Sequence, residues 1–407
     1  MHPHQQHNPE VIDPADSVDH FVFSPSSSYP KPYARLFDRH GTEVHTWSND
    51  VAQMPVEEDP PSFMRGWNHV EVGPDGCLFA IVPMRALLKL DVCSNLVWQA
   101  DVSAHHDVAL APGGGVYVLT EVPRQISVDG RARTVVDNAV TVLDASGRQV
   151  RDISLLDVLS TDPALSAMVQ DQVARRHNRF ERAELVLDAE QAALLASGTY
   201  SGPQSRALQV LRQLMGEPCD VLHTNTLEIL EAHPAGLWQR GHVLVSMRNL
   251  DLVAVLDLDT PRVLWWWGPG ELSAQHQPSA LPNGNVLVFD NGVATGVSRA
   301  LEVDPTSSTI IWEYRASSFT ACAGGCELLP SGNVLVTEAQ VGRAIEVTRD
   351  QQITWQWRTA KLSSGPLTSR ATLYRVAGVP WATVEQILRH QPTPASTPGA
   401  SELQVCL

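Results

Sequence analysis

A chain of 407 residues with 43% hydrophobic side chains carries ample material for a large core, and its formal net charge of -16 gives it a surface that repels a phosphate backbone. Nucleic-acid binding is therefore not expected. No stretch approaches the roughly 20 apolar residues needed to span a bilayer, so no membrane partner is expected either. The opening Met1-His2-Pro3-His4 has neither the basic nor the apolar region of a secretory leader, which makes the cytoplasm the expected location.

Residues 1–28 read as a disordered or extended segment, and 29–390 read as a single domain. Near the start of that domain, Leu36-Phe37-Asp38 is followed by Gly41 and by Val44-His45-Thr46-Trp47. Asn68-His69 then precedes Pro74-Asp75-Gly76 and an apolar run from Cys77 to Val82, after which Leu90-Asp91 runs on to Val97-Trp98. His105-His106-Asp107 precedes Pro112-Gly113-Gly114-Gly115 and Val116-Tyr117-Val118-Leu119 in the same way.

From about 160 to 216 the pattern changes to strong helix formers with apolar residues spaced by three and four, which predicts a helical insertion. Two roles fit it: decoration, or a lid over one face. It ends shortly before His223-Thr224-Asn225, which opens the unit that holds Arg248.

Gln275-His276-Gln277 leads to Pro282-Asn283-Gly284-Asn285 and Val286-Leu287-Val288-Phe289, and a further copy, Leu329-Pro330-Ser331-Gly332-Asn333, has Gly324 where His276 would stand. Pro-Asn-Gly, Pro-Asp-Gly and Pro-Ser-Gly are tight-turn signals, and the apolar runs after them suit strands. A second set of words closes the units: Leu256-Asp257 to Trp265, Val303-Asp304 to Trp312, and Val347-Thr348 to Trp355. Strand-turn-strand units of roughly 40 to 50 residues predict an all-β fold, a β-propeller, with the helical insertion between two blades. The 11 tryptophans, recurring in step with the units, are expected to pack between them. A short helix is expected at Pro380-Trp381 and beyond, followed by a flexible Pro- and Ser-rich tail over 391–407.

Six cysteines are present, of which Cys322 and Cys326 bracket the segment where other units carry histidine. Free thiols are the expectation for a reducing compartment, with a small disulfide ring as the alternative. Paired CxxC motifs for structural zinc are absent from the sequence.

In a propeller the innermost strands line a central channel, so residues at equivalent positions of different blades become neighbours. His69, His106 and His276 stand six or five residues before their turns, and with His223 and Arg248 they are expected to converge on one site.

The succession Leu222-His223-Thr224-Asn225, Met247-Arg248-Asn249, Trp265-Trp266-Trp267-Gly268, Gln275-His276, Phe289-Asp290-Asn291-Gly292 and Ser298-Arg299 resembles the arylsulfotransferase family, over about Arg35 to Trp357. The resemblance implies a six-bladed propeller that moves a sulfuryl group from an aryl sulfate to a phenol without a nucleotide donor or other cofactor. It implies that the family's histidine nucleophile, which becomes a sulfohistidine, falls on His276. Its supporting histidines fall on His106 and His223, and its sulfate-binding arginine on Arg248. His69, Asn225 and Asn291 are then expected to touch a small aromatic substrate.

Two other readings stay open. Imidazoles of His69, His106, His223 and His276 could hold a transition metal such as iron, copper, manganese or zinc, with Asp107 and Glu327 as supporting partners, in a lyase, oxygenase or hydrolase. A non-catalytic propeller that binds a partner on one face would need none of these histidines.

Overall fold

The computed structural model describes residues 21–25, 32–49, 67, 69–178, 220–359 and 372–390. Among them the chain forms six four-stranded antiparallel sheets. The first three strands are β1 (Phe21–Pro25), β2 (Tyr33–Phe37) and β3 (Glu43–Ser48). One blade follows from β4 (His69–Val72), β5 (Leu78–Val82), β6 (Ala86–Leu90) and β7 (Leu96–Ala100), and the next from β8 (Ala104–Leu110), β9 (Val116–Val128), β10 (Arg131–Leu143) and β11 (Gln149–Ser154). Helices α1 (Leu155–Leu159) and α2 (Pro163–Asn178) intervene. The third blade is β12 (Thr224–Ile229), β13 (Val243–Met247), β14 (Leu252–Asp257) and β15 (Arg262–Trp267). The fourth is β16 (His276–Ala280), β17 (Val286–Asp290), β18 (Arg299–Asp304) and β19 (Thr309–Arg315). The fifth is β20 (Gly325–Leu328), β21 (Val334–Glu338), β22 (Arg343–Val347) and β23 (Ile353–Arg358), and the chain ends in β24 (Ala377–Val379) and α3 (Trp381–Arg389).

The architecture is an all-β propeller with few helices, but the expectation of six equivalent blades is corrected. Five blades are each built from four consecutive strands, whereas the remaining sheet has the order β24-β1-β2-β3 and joins both ends of the chain. Phe21 faces Val379 and Phe23 faces Ala377 across that junction. Residues 21–25, assigned in the sequence to a segment outside the domain, are thus a strand within it. The tail over 391–407 lies outside the described residues.

The Pro-x-Gly words are the turns between the first and second strands. Gly284 N donates to Leu281 O at 2.9 Å and Leu281 N to Asn285 O at 2.8 Å, with Gly284 at φ +92°, a type I turn closed by a left-handed residue. The apolar runs after these turns do not alternate with polar residues because the second strand is covered on both faces by neighbouring blades. Val243–Met247, Val286–Asp290 and Val334–Glu338 are buried throughout.

The recurrent tryptophans have a specific task. Trp98 on β7 donates its indole N–H to Ala145 O in the β10–β11 turn of the next blade, at 3.1 Å. Trp265 does the same to Pro305 O (3.1 Å), Trp312 to Arg349 O (2.9 Å) and Trp355 to Arg39 O (2.9 Å). Four of the six outer strands, β7, β15, β19 and β23, are thereby stapled to the turn of the following sheet. β11 has no tryptophan, and there Arg151 Nη2 reaches Asp259 Oδ1 of the next blade at 2.9 Å.

The expected helical insertion begins as α1 and α2, with residues 179–219 outside the described set. Leu155, Leu156, Val158, Leu159, Leu165, Val169 and Val173 are buried in the core shared by the second and third blades. Gln172 Nε2 donates to Asn249 O at 2.9 Å, so α2 supports the one-turn 3-10 helix Arg248–Leu250.

Ending the chain at residue 371 should remove β24 and the buried Leu373, Val376, Val379, Val384 and Ile387. At about 1.5 kcal/mol or more per buried aliphatic side chain, the expected loss in melting temperature is at least about 10 °C. Calorimetry checks this, and an unchanged transition would show that the ring does not depend on its closing strand.

Candidate functional site

The innermost strands β4, β8, β12 and β16 carry the predicted histidines at or near their N-terminal ends, and three of these strands are bulged there. Thr224 pairs with Met247 but Thr226 with Ser246; His276 pairs with Phe289 but Ser279 with Leu287; Ala104 pairs with Thr120 but Val108 with Val118. His106 sits within the last of these bulges at φ +57°, and His223 and Gln277 are left-handed too, at +48° and +50°. Left-handed non-glycine residues are held only where surroundings over-determine them, and bulges re-aim side chains.

The bulge in β16 explains why His69 stands one residue closer to its turn than His276. In the ladder the two are equivalent: His69 faces Ile81 and His276 faces Phe289, each the fourth residue of the second strand. At the same level in β20 stands Gly325 rather than Gly324, facing Thr337. The space a side chain would take there is filled, since a Cβ on Gly325 would lie 2.0 Å from Gln277 Oε1.

His276 is buried, and its Nδ1–H donates to Asn291 Oδ1 at 2.6 Å and to Ala274 O at 3.1 Å. Both partners are acceptors, because Asn291 Nδ2 itself donates to Thr320 O and Ala323 O. That fixes the tautomer with the lone pair on Nε2. Burial pushes the imidazole down to about 3, a drop that the Asn291 and Ala274 hydrogen bonds oppose and the nearby Arg248 and His223 reinforce. His276 is consequently neutral under ordinary conditions.

His223 is held by Asp220, whose Oδ2 accepts from Nδ1 at 2.6 Å and whose Oδ1 accepts from the backbone N–H at 2.9 Å. Arg248 N donates to His223 O (3.1 Å) and Asn249 Nδ2 to Asp220 O (2.7 Å), locking the turn that bears Arg248 to the segment that bears His223. The ring of His106 meets that of His223 edge-on, with centroids 4.7 Å apart. His106 and His223 therefore adjoin each other with Arg248 tied to the His223 backbone, and Arg248 and His223 stand close enough to His276 to bear on its charge.

His69 belongs to a neighbouring group. Its Nε2 lies 2.9 Å from Asp107 Oδ1, and its ring is 6.0 Å from that of Tyr374. Burial would raise the Asp107 carboxyl, but His69, Arg375 and the Leu227 N–H together hold it below its ordinary value. His69, Asn225 and Asn291, expected to touch substrate, have these surroundings within the protein. All three are buried; the Asn291 amide is committed to His276 and two carbonyls, while Asn225 Nδ2 donates to Gln275 O at 2.8 Å.

Two residues of a late segment were missed in the sequence. Tyr374 stands 6.3 Å ring to ring from His106, and Arg375 Nη1 lies 3.8 Å from Asp107 Oδ1. No repeat word marks them, because they follow the last blade. Below the imidazoles, Glu71, Glu228 and Glu327 share a second level of the inner strands, each facing the second residue of its neighbour: Phe79, Leu244 and Leu335. Burial raises all three carboxyls, and Arg375 counters it in each case. Glu327 also accepts from Gly378 N at 3.0 Å, so its predicted supporting role is toward the closing segment.

Cys322 and Cys326 are free thiols, together with Cys77 and Cys93. Among the described residues, no three His, Cys, Asp or Glu side chains are arranged to hold a metal ion.

Residues 85–360 match the family model described as arylsulfotransferase (ASST), and the chain belongs to that family. No curated protein matches the chain. Among solved structures, it is similar to a protein of unknown function from Bacteroides caccae at 11% identity and a TM-score of 0.46, covering 89% of this chain and 99% of that one. It is also similar to the Pseudomonas aeruginosa periplasmic gluconolactonase PpgL, at 13% identity and 0.43, covering 89% and 99%. Citrobacter koseri AztD without ligand follows at 9% and 0.42, covering 89% and 98%.

The carboxyl of Glu228 is pushed up to about 7 from 4.5, chiefly by burial. The native state then binds more protons than the unfolded chain between those values, so this group removes stability as pH rises through the window. In Glu228→Gln that loss is absent. The variant should gain on the wild type by about 3 °C or more in melting temperature between pH 5 and pH 8. A gap that does not change with pH refutes the raised carboxyl.

Proposed function

We propose that the channel passes a sulfuryl group from an aryl sulfate to a phenolic acceptor through His276. The observation that carries this reading is the double anchoring of His276 Nδ1, which leaves a neutral imidazole with its Nε2 lone pair available beside Arg248. Membership of the arylsulfotransferase family supports it.

In the first half-reaction Nε2 attacks sulfur, the S–O bond to the aryl group breaks, and the departing phenolate takes a proton from an imidazole. In the second, the acceptor phenol oxygen attacks sulfur, the N–S bond breaks, and the electron pair returns to Nε2 while the phenolic proton is taken up. Arg248 neutralises charge on the nonbridging oxygens, where a planar guanidinium fits better than an ammonium. His106 and His223 handle the protons. No metal enters these steps.

Turnover of 4-nitrophenyl sulfate with a phenol acceptor tests the reading. His276→Ala should lower transfer by at least about 1000-fold, and the wild type quenched during turnover should carry a sulfuryl adduct on the peptide containing His276. About one tightly bound metal ion per chain together with no transfer would sink the proposal in favour of a metal-dependent enzyme. Full function in chains lacking His106, His223 and His276 would instead make the propeller a binding module.

A further inference from the structure

Behind His106 lies a pair of buried groups that the steps above do not use. His105 Nδ1 and His106 Nδ1 are 2.8 Å apart, and His105 Nδ1 lies 3.6 Å from Glu121 Oε1 on β9. His105 and Glu121 are buried, at 2% and 1% exposed. A contact of 2.8 Å between two ring nitrogens requires a proton on one of them. A carboxylate beside His105 favours the charged imidazolium there.

We propose that Glu121 and His105 form the proton store of His106, a positioning pair that never touches substrate and sets the direction in which His106 moves protons. This rests on the sulfuryl-transfer reading. His105 donates Nδ1–H to His106 Nδ1, which leaves His106 with its own proton on Nε2. As the aryl S–O bond breaks, the Nε2 proton passes to the phenolate oxygen and the His105 proton moves onto His106 Nδ1. His105 ends neutral beside Glu121, His106 ends neutral, and the phenol departs neutral, so the charge released by the leaving group is cancelled at a buried site. The acceptor phenol drives the same shifts in reverse.

Other groups around His106 are placed for different work. His223 is tied to Asp220 through Nδ1. Asp107, next in the strand, serves His69 and the Leu227 N–H, with Arg375 beyond it. Tyr374 O–H meets His106 at its backbone oxygen, 3.5 Å away, and not at its ring.

The test is a series of aryl sulfates whose leaving phenols range from acidic to weakly acidic, assayed with the full chain and with Glu121→Gln and His105→Gln. An acidic phenol leaves as its anion and hardly needs a proton, whereas unsubstituted phenol does. Both variants should lose about threefold in kcat/KM with 4-nitrophenyl sulfate and about 100-fold with phenyl sulfate. The double variant should lose no more than either single one, as expected for members of one relay. Equal losses across the series, or none, overturn the relay while leaving the transfer reading intact; a wild type that transfers from no donor overturns both. Should neither variant fold, the wild type decides: a solvent deuterium isotope effect of about 2 on phenyl sulfate that vanishes with 4-nitrophenyl sulfate supports the relay, and no effect on either overturns it.

Discussion

The site depends on a single constraint, the commitment of Nδ1 of each channel imidazole to a partner within the protein. Asn291 and Ala274 hold that atom in His276, Asp220 holds it in His223, and His105 holds it in His106. A free imidazole has two equivalent choices of tautomer and a rotating ring; an anchored one has a single reactive nitrogen in a fixed direction. The three partners differ in kind: an amide with a carbonyl, a carboxylate, and another imidazole. That difference gives identical side chains different surroundings: the partners of His276 are neutral, and burial outweighs their hydrogen bonds to keep it unprotonated.

The surrounding fold is arranged to keep those anchors in place. Asn291 is itself held by Thr320 O and Ala323 O, from the segment leading into the next blade. Asp220 stands in the segment that follows the insertion, pinned through Asn249 to the Arg248 turn that α2 supports from outside. Distances across the channel are therefore set by contacts between blades, and those contacts are regularised by the tryptophan staples on the outer rim. A carbonyl accepting from an indole 40 residues away in sequence is a modest interaction on its own, worth about 1 kcal/mol, but its repetition around the ring fixes the angle between neighbouring sheets.

Much of this was legible in the sequence, and the reason is repetition. Pro-Asn-Gly and its relatives mark turns by their own chemistry, and tryptophan recurs because the next turn offers it an acceptor. His276 and His106 stand out because each precedes such a word, whereas His223 and Arg248 stand out through the succession that resembles the arylsulfotransferase family. The finer register was not legible: a bulge adds a residue without changing its type, so His69 looked out of step when it was in step, and Gly324 stood in for Gly325. The protein partners of Asn225 and Asn291 were not legible either, because a polar side chain in a channel motif looks the same whether it faces a ligand or holds a neighbour. Tyr374 and Arg375 carried no signal, since they belong to no repeat and reach the channel through a segment that the pattern did not predict to enter it.

The closing sheet has a consequence for the order of events in the cell. Its first three strands are synthesised before the five continuous blades and its last, β24, at residues 377–379, after them and just after Tyr374 and Arg375. During translation the five continuous blades emerge in sequence, each able to form its own hairpins, while β1 waits with an open edge. Arg375 and the ring closure arrive together. A chain cut short before Arg375 thus holds its imidazoles above three half-buried glutamates without the arginine that compensates them, and the channel acquires its working charge only once that residue is in place.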